Sequence, residues 1–232
     1  DFIADFSITK GHDSNLSDKK DSRSHFFANS KTNLNLDEFL KSSLEINYEK
    51  TSNDNYLKLF NLESPLLLGN TDVLESKIEL DLEHSDFDFT TTIAMYETLD
   101  GSNSDRYQYV LPSYNFTKNF GLENINGSFN FNSTGSNSLK STNELSTIST
   151  NNLNYESYYS FFENGIKSKF AILLKNPNTI GKKSSNYESS LKSEITSAYV
   201  FNASLPLMKD TKKNSNLLEP KISIRFSPHK MK

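Results

Sequence analysis

The fold is decided by the stretch YESSLKSEITSAYVFNASLPLMKDTKKNSNLLEPKISIRFSP, which runs from Tyr187 to Pro228. Side chains of a β-strand point alternately to opposite faces. The first run has one mostly apolar side, carrying Leu191, Ser193, Ile195, Ser197, Tyr199, Phe201, Ala203, Leu205 and Leu207, and one polar side, carrying Lys192, Glu194, Thr196, Asn202 and Ser204. After a polar break at 209–215 the alternation returns with Ile222, Ile224 and Phe226, so the stretch predicts a two-stranded hairpin with one apolar face.

A two-faced hairpin of this kind fits two classes of protein. In a soluble sheet the apolar face packs on a core. In a membrane barrel the apolar face meets lipid and the polar face meets a water-filled lumen. The rest of the chain has to decide between them.

The composition limits the choice. Of 232 residues only 34% are hydrophobic and the mean hydropathy is -0.62, which is low for a compact soluble core. Disorder is disfavoured by 17 Phe and 11 Tyr, because disordered chains contain few aromatic residues. A net charge of -4 gives no basic surface for nucleic acid. The chain has no cysteine, which excludes a disulfide scaffold and thiolate metal sites within it.

Any contact with a membrane has to be made by strands. No run approaches the roughly 18 apolar residues of a transmembrane helix, and the nearest is the short stretch from Pro65 to Leu68. The chain begins with Asp1 and shows no signal peptide, so we expect a mature or excised segment whose targeting information lies elsewhere.

Period-two alternation recurs along the whole chain and predicts an all-β fold. Strands are predicted from Phe2 to Lys10, His25 to Leu36, near 44–49, Leu74 to His84, Phe87 to Met95, Arg106 to Lys118, Ile125 to Asn132 and Ile166 to Lys175, with the Ser/Thr-rich residues 138–150 as the weakest candidate. With the opening stretch this gives an all-β, antiparallel up-and-down meander of about eleven strands of roughly ten residues, a profile typical of a transmembrane outer-membrane β-barrel.

The predicted connections support the barrel interpretation. They alternate between short and long, and the loops near 10–23, 50–73, 100–105, 133–137 and 176–186 fall on one side of the meander. The loop at 50–72 is unusually long, and loops of that length tend to be functional or mobile. Lys, Glu and Asp on the polar face would be costly to bury in a sandwich, which favours a hydrated lumen.

Several polar residues are candidates for that lumen. They alternate with apolar neighbours in two predicted strands and are Lys77, Glu79, Asp81, Glu83, Lys192 and Glu194. Pro112 lies inside a predicted strand, where it removes a ladder hydrogen bond and predicts a bulge or kink.

The motifs that could carry catalysis are weak. The histidines at 12, 25, 84 and 229 have no metal-ligand spacing and are interpreted as solvated residues in loops or at strand ends. Gly181-Lys-Lys-Ser184 lacks the leading glycine and the strand-to-helix context of a phosphate loop. Residues 54–57 could cap a loop or contact a ligand, but packing of loop aromatics is favoured. We therefore predict no catalytic, cofactor-binding or metal-binding residue and no enzymatic activity.

Three segments together resemble a known family. They are NDNYLKLF at 53–60, RYQYVLPSYNF at 106–116, and SLPL at 204–207 followed by LEPKISIRFSP at 218–228. Their order and spacing resemble the barrel domain of the outer-membrane lipopolysaccharide-assembly protein family, LptD. The resemblance spans most of the chain.

The resemblance implies a single-chain barrel of about 26 strands in the cell outer membrane. It implies transport of lipopolysaccharide to the outer leaflet through an opening between the first and last strands, without enzymatic chemistry or a cofactor. The implied partners are lipopolysaccharide, a plug lipoprotein of the LptE type, a periplasmic bridge protein of the LptA type and outer-membrane lipid. Residues 1–232 would be one domain, a part of the barrel wall without the periplasmic domain, the closing strands or the family's disulfide.

Other functions stay open at this point. A passive porin or a receptor barrel would share the strand pattern but would not affect surface lipopolysaccharide. A soluble extracellular β-sheet adhesin would pack its apolar stripes into a dry core. A lipid-modifying barrel enzyme would need a clustered nucleophile and base, which the sequence does not offer. Pro112 could weaken a strand pair of a gate, but a local bulge is favoured.

Overall fold

The computed structural model describes residues 1–9, 22–68, 71–100, 105–141, 143–210 and 214–228. Within them the regular secondary structure is β-strand apart from one short helix. The expected turns at 10–21 and 101–104, and the histidines at 12 and 229, lie outside the described residues.

The strands follow one another along the chain in this order: β1 Phe2–Thr9, β2 Arg23–Asn33, β3 Lys41–Thr51, β4 Val73–Glu83, β5 Phe87–Thr98, β6 Tyr107–Phe120, β7 Gly127–Lys140, β8 Glu144–Ser157, β9 Ser160–Phe161, β10 Lys167–Lys182, β11 Lys192–Ser193, β12 Thr196–Ser204, β13 Leu207–Asp210, β14 Ser215–Leu218 and β15 Lys221–Phe226. The helix α1, Tyr56–Leu59, lies between β3 and β4.

Thirteen of these strands form one sheet in the order β1-β2-β3-β4-β5-β6-β7-β8-β10-β12-β15, with β9 and β11 paired to β10. The main path therefore has eleven strands, and every strand pair with a described register is antiparallel. This confirms the predicted all-β meander. β13 and β14 form a separate two-stranded sheet.

The alternation seen in the sequence fixes the register of the best-defined hairpin. β4 pairs with β5 so that Ile78 faces Ile93 and Leu82 faces Phe89, while Glu79 faces Thr92. Apolar side chains thus meet apolar ones on one face, because successive residues point to opposite faces. A three-residue turn closes the hairpin, where the His84 amide donates to the Phe87 carbonyl at 2.8 Å.

The chain divides into two compact units. The first comprises Asp1–Asn115, Gly135–Ile148 and Thr179–Leu191. Its apolar core consists of Phe27, Tyr56, Leu57, Leu66, Leu74 and Leu99. Other large apolar side chains of its strands, such as Ile46, Ile78 and Ile93, are exposed on one face of the sheet.

The second unit comprises Phe116–Thr134, Ser149–Asn178 and Lys192–Lys232. A row of aromatic rings crosses its strands. Phe120 stacks on Phe129 with centroids 5.3 Å apart, Phe129 meets Tyr155 at 4.9 Å, and Tyr155 meets Phe170 at 5.4 Å. The hairpin of the opening stretch is present, since β12 pairs with β15 and places Phe201 opposite Ile224.

Three predicted boundaries differ from the structure. The expected loop at 133–137 is part of β7, and the expected loop at 176–186 begins only after Lys182 because β10 continues that far. Both segments are rich in Ser and Asn, which are uncommon in strands, so their pairing depends on the neighbouring backbone rather than on apolar alternation. The weak strand at 138–150 corresponds to the end of β7 and the first half of β8.

The third difference lies in the opening stretch. Leu191 to Ile195 alternates like a strand, but β12 begins only at Thr196, and Lys192–Ser193 forms the short β11. The expected break at 209–215 overlaps the end of β13 and the first residue of β14, which pair with each other, so a small hairpin interrupts the larger one.

Candidate functional site

The polar face of the first unit collects charged side chains from neighbouring strands. Glu45 on β3 accepts a hydrogen bond from Asn29 on β2 at 3.3 Å and lies 3.6 Å from the Lys31 ammonium. On β4, Lys77 pairs with Glu79 at 3.3 Å. Ion pairing offsets the cost of partly burying these charged side chains, and water can still reach them. We call this surface, Asn29, Lys31, Glu45, Lys77, Glu79 and Asp81, the polar face.

Three of the six predicted lumen residues lie together on this surface. Lys77, Glu79 and Asp81 follow one another on β4, and Asp81 is bound by Lys41 from β3 and by the Thr90 hydroxyl from β5 at 3.1 Å. Glu83 is the last residue of β4 and is exposed. Their role in lining a lumen stays a prediction.

The other two lie elsewhere. Lys192 and Glu194 are in the connection before β12, where they pair at 3.5 Å, and neither belongs to a strand of the main sheet path. Pro112 lies inside the continuous strand β6, after a cis peptide bond from Leu111. The Asn137 amide donates to the Leu111 carbonyl at 3.1 Å, next to the proline that cannot donate.

The long connection between β3 and β4, residues 52–72, is called the inner loop, and its described residues, 52–68 and 71–72, fold back onto the strands. Tyr56 and Leu57 of α1 are 1% and 0% exposed and pack with Phe27, Leu66 and Leu74. This confirms the predicted packing of loop aromatics in 54–57. The helix is only four residues long, so its position depends on these tertiary contacts rather than on its own stability.

Hydrogen bonds fix the inner loop to strands at both ends of its path. The Tyr56 hydroxyl lies 2.6 Å from the Ser7 hydroxyl on β1. The Glu49 carboxylate, 1% exposed on β3, accepts from the Leu68 amide at 2.7 Å and from the Glu75 amide at 2.8 Å. A buried carboxylate is tolerated where several donors satisfy it.

A charged network stands beside the inner loop. Glu97 on β5 is 3% exposed. Its carboxylate forms ion pairs with Lys50 and Arg106, each at 2.8 Å, and accepts a hydrogen bond from the Tyr107 hydroxyl at 3.1 Å. Arg106 also binds Asp54 of the inner loop at 2.7 Å. The hydrogen bond with Asp54 and the nearby charge of Glu97 raise the pKa of the Arg106 guanidinium, which stays charged.

His25 corrects the prediction of a solvated residue. It lies within β2, is 7% exposed, and stacks on Phe27 with ring centroids 4.6 Å apart. Its Nδ1 is 3.3 Å from the Ser7 hydroxyl and its Nε2 is 3.4 Å from Asp5. Local spacing holds no signal for this burial, because it arises when the inner loop packs over the start of β2. His84 lies in the β4–β5 turn, as predicted.

The second unit carries a separate ionic cluster around Glu219, which lies between β14 and β15. Its carboxylate binds the Lys167 ammonium at 2.6 Å, Lys221 at 3.1 Å and the Ser204 hydroxyl at 3.1 Å. The bonds from Lys167 and Lys221 lower the pKa of Glu219 to about 2. Lys167 also lies 5.6 Å from the centre of the Tyr159 ring. The cluster ties the base of the β13–β14 hairpin to β10.

The described residues contain no group of three or more His, Asp or Glu side chains that could hold a metal ion. Gly181, Lys182 and Lys183 occupy the end of β10 and the turn after it, and Lys183 has φ 55. Among the described residues, no helix has the length and apolarity to span a membrane.

The comparisons with known proteins give one positive result. A family model described as LPS transport system D matches residues 21–232, which is most of the chain. No curated protein matches the chain. The match covers the polar face, all of the inner loop, the Glu219 cluster and every segment that carried the resemblance in the sequence. The chain therefore belongs to the LPS transport system D family, LptD.

Proposed function

We propose that this chain forms part of the wall of an outer-membrane translocon that transports lipopolysaccharide and inserts it into the outer leaflet. The observation that carries the proposal is the family match, and the two-faced strands agree with it. The exposed apolar side chains of β3 to β5 would face lipid, and the polar face would line a hydrated path.

The chemistry of the polar face suits such a path. Lys77, Glu79 and Asp81 are only partly exposed within the sheet, and each has a partner of opposite charge or a hydroxyl close by. Ion pairs of this type exchange readily with water and with charged sugar substituents, because exposed pairs contribute only about 0–1 kcal/mol. The acyl chains of the substrate would stay in lipid. The proposed partners are a plug lipoprotein of the LptE type and a periplasmic bridge protein of the LptA type.

The inner loop has a defined place in this proposal. It lies on the same side of the sheet as the polar face, over the start of β2 and the end of β3, where the Leu68 amide donates to Glu49. Longer connections of outer-membrane barrels lie on the extracellular side. The inner loop would therefore narrow the outer end of the path as a fixed element, held by a core of its own rather than free to move.

The test uses the full-length protein in cells. Depletion is expected to lower surface lipopolysaccharide, measured by labelling whole cells, and re-expression is expected to restore it. Restoration should fail for the double change Glu79→Lys with Asp81→Lys on the polar face, and should succeed for the matched change Ile78→Leu on the apolar face. Unchanged surface lipopolysaccharide after depletion would remove the transport assignment. Ion conductance of the purified protein without that dependence would favour a porin.

A further inference from the structure

The buried imidazole of His25 has one ring nitrogen without a hydrogen bond. Its side chain is 4% exposed, and its Nε2 is buried and has no hydrogen-bond partner among the described residues. The Asp5 carboxylate on β1 lies 3.4 Å from this nitrogen, outside hydrogen-bonding geometry. Nearly all buried polar atoms of folded proteins have a partner. The pair of His25 and Asp5 therefore has room to strengthen when the ring changes its protonation state.

Both sides of the imidazole are connected to the inner loop. The His25 Nδ1 lies 3.3 Å from the Ser7 hydroxyl, which in turn lies 2.6 Å from the hydroxyl of Tyr56 on α1. On the other side, Ser64 of the inner loop interacts with the Asp5 carboxylate. We call Asp5, Ser7, His25 and Tyr56 the histidine junction. It joins β1, β2 and the inner loop at one buried point.

The charges around the junction favour a positive ring. Asp5 on β1 is the nearest carboxylate, and its side chain is 40% exposed and so remains hydrated. On β3, Glu49 lies two positions before the residue that pairs with His25, and on β2 Arg23 lies two positions before His25. The titratable group that the inner loop places against the ring is the neutral Tyr56 hydroxyl. Two carboxylates thus oppose one guanidinium, and the closest charge is negative.

A second proton on the ring completes the junction. A neutral imidazole has one N–H group and an imidazolium has two. The cation can donate from Nδ1 to Ser7 and from Nε2 to Asp5, and hydrogen bonds between charged partners are stronger than neutral ones. When the inner loop is open, water reaches this pair and weakens it.

The protonated ring therefore favours the closed inner loop. The closed state binds the proton more tightly than the open state, so the contribution is present at acidic pH and is lost as the pH rises through the range in which histidines titrate. We propose that the histidine junction is a pH-dependent clasp that holds the inner loop more tightly on β1 and β2 in acid. The proposal uses the proposed function only to place the clasp at the outer end of the path.

Hydrogen exchange of the purified full-length protein in phospholipid vesicles tests the clasp. The reporters are the amides at 59–62, which donate within the inner loop. Their protection is taken relative to the intrinsic exchange rate at each pH, and the unsubstituted protein is compared with Asp5→Asn, which keeps the size of the side chain and removes its charge. The ratio of protection between the two proteins should rise several-fold from about pH 8 to about pH 5.5. This ratio cancels any titration of Glu49, which is present in both proteins.

Two further variants assign the effect to His25. In a His25→Gln background, which cannot take up the proton, Asp5→Asn should change the protection equally at both pH values. In a His84→Gln background, which alters the histidine of the β4–β5 turn, the several-fold rise should remain.

A ratio that stays constant or falls toward acid would overturn the proposal, and this measurement needs no change at His25. A rise that persists in the His25→Gln background would also overturn it. The depletion experiment tests transport separately, so the clasp can fail while the transport assignment stands, and the reverse.

Discussion

Two long connections between strands of this chain differ in their burial. The inner loop, 52–72, buries Tyr56 and Leu57 in the core of the first unit. The connection between β12 and β15 carries the β13–β14 hairpin, in which Met208 and Leu217 are 69% and 68% exposed. Both connections contain apolar residues, so composition does not distinguish them. The difference is that the inner loop packs on a strand face and binds a buried carboxylate, whereas the described residues of the hairpin are tied to the sheet at its base by Glu219.

The inner loop and the hairpin are therefore held in place by different interactions. The inner loop is fixed by apolar burial, and its buried residues share one core with residues of the sheet. The hairpin is fixed by the Glu219 ion pairs, which act at one point and depend on charge. Substitutions and pH should therefore affect the two connections in separate ways.

The largest effect is expected from Leu57→Ala. Leu57 is fully buried, so the change leaves a cavity and should lower the free energy of unfolding by about 2–5 kcal/mol. The matched change Leu217→Ala in the exposed β14 should cost less than about 0.5 kcal/mol. Urea titration of the folded full-length protein, followed by its heat-sensitive gel mobility, measures both. Equal costs would contradict a packed inner loop.

A smaller effect is expected from Glu49→Gln. The glutamine keeps the size of the side chain but replaces one of the two carboxylate oxygens that accept from the Leu68 and Glu75 amides. Leaving a buried donor without its acceptor costs about 1–3 kcal/mol. Limited proteolysis should then cleave within the inner loop faster than in the unsubstituted protein.

Glu45→Gln is the control for that experiment. Glu45 lies on the same strand and the same face, but it binds the side chains of Asn29 and Lys31 and not the inner loop. Cleavage of the loop should stay at the unsubstituted rate. If both variants are cleaved equally fast, Glu49 does not hold the loop.

Much of the fold followed from alternation alone. Both ends of β4 were predicted to within one residue and the start of β5 was predicted correctly, because Ile78, Leu80 and Leu82 alternate with charged neighbours and meet the apolar residues of β5, which continues three residues beyond the predicted Met95. The same alternation placed Lys77, Glu79 and Asp81 on one face. The ends of β7 and β10 were not predicted, since Ser and Asn occupy both faces there and leave no periodic signal.

The contacts of the inner loop could not be predicted in the same way. The burial of His25 and the bonds of Glu49 depend on where residues far along the chain fold back, and local spacing holds no information about that. The prediction that Lys192 and Glu194 lie in a strand of the main sheet differs from the structure for the opposite reason, because here the local signal is present and the pairing is not. Residues 191–195 alternate like a strand, yet only two of them pair, in β11.

The smallest effect is expected from acid acting on the hairpin base. The pKa of Glu219 is lowered from its usual 4.5 to about 2 by Lys167 and Lys221, so the folded protein binds this proton less readily than the unfolded chain. The contribution of the cluster is thus complete above pH 4.5 and is lost as the pH falls toward 2. The protection of the β13–β14 amides against hydrogen exchange, taken relative to the intrinsic exchange rate at each pH, should fall across that window, and Glu219→Gln should show the lower protection already at pH 6. The inner loop is held by apolar burial and by the Glu49 carboxylate, so its amides should show the same protection in Glu219→Gln as in the unsubstituted protein, and a loss of protection there would mean that the two connections are not independent.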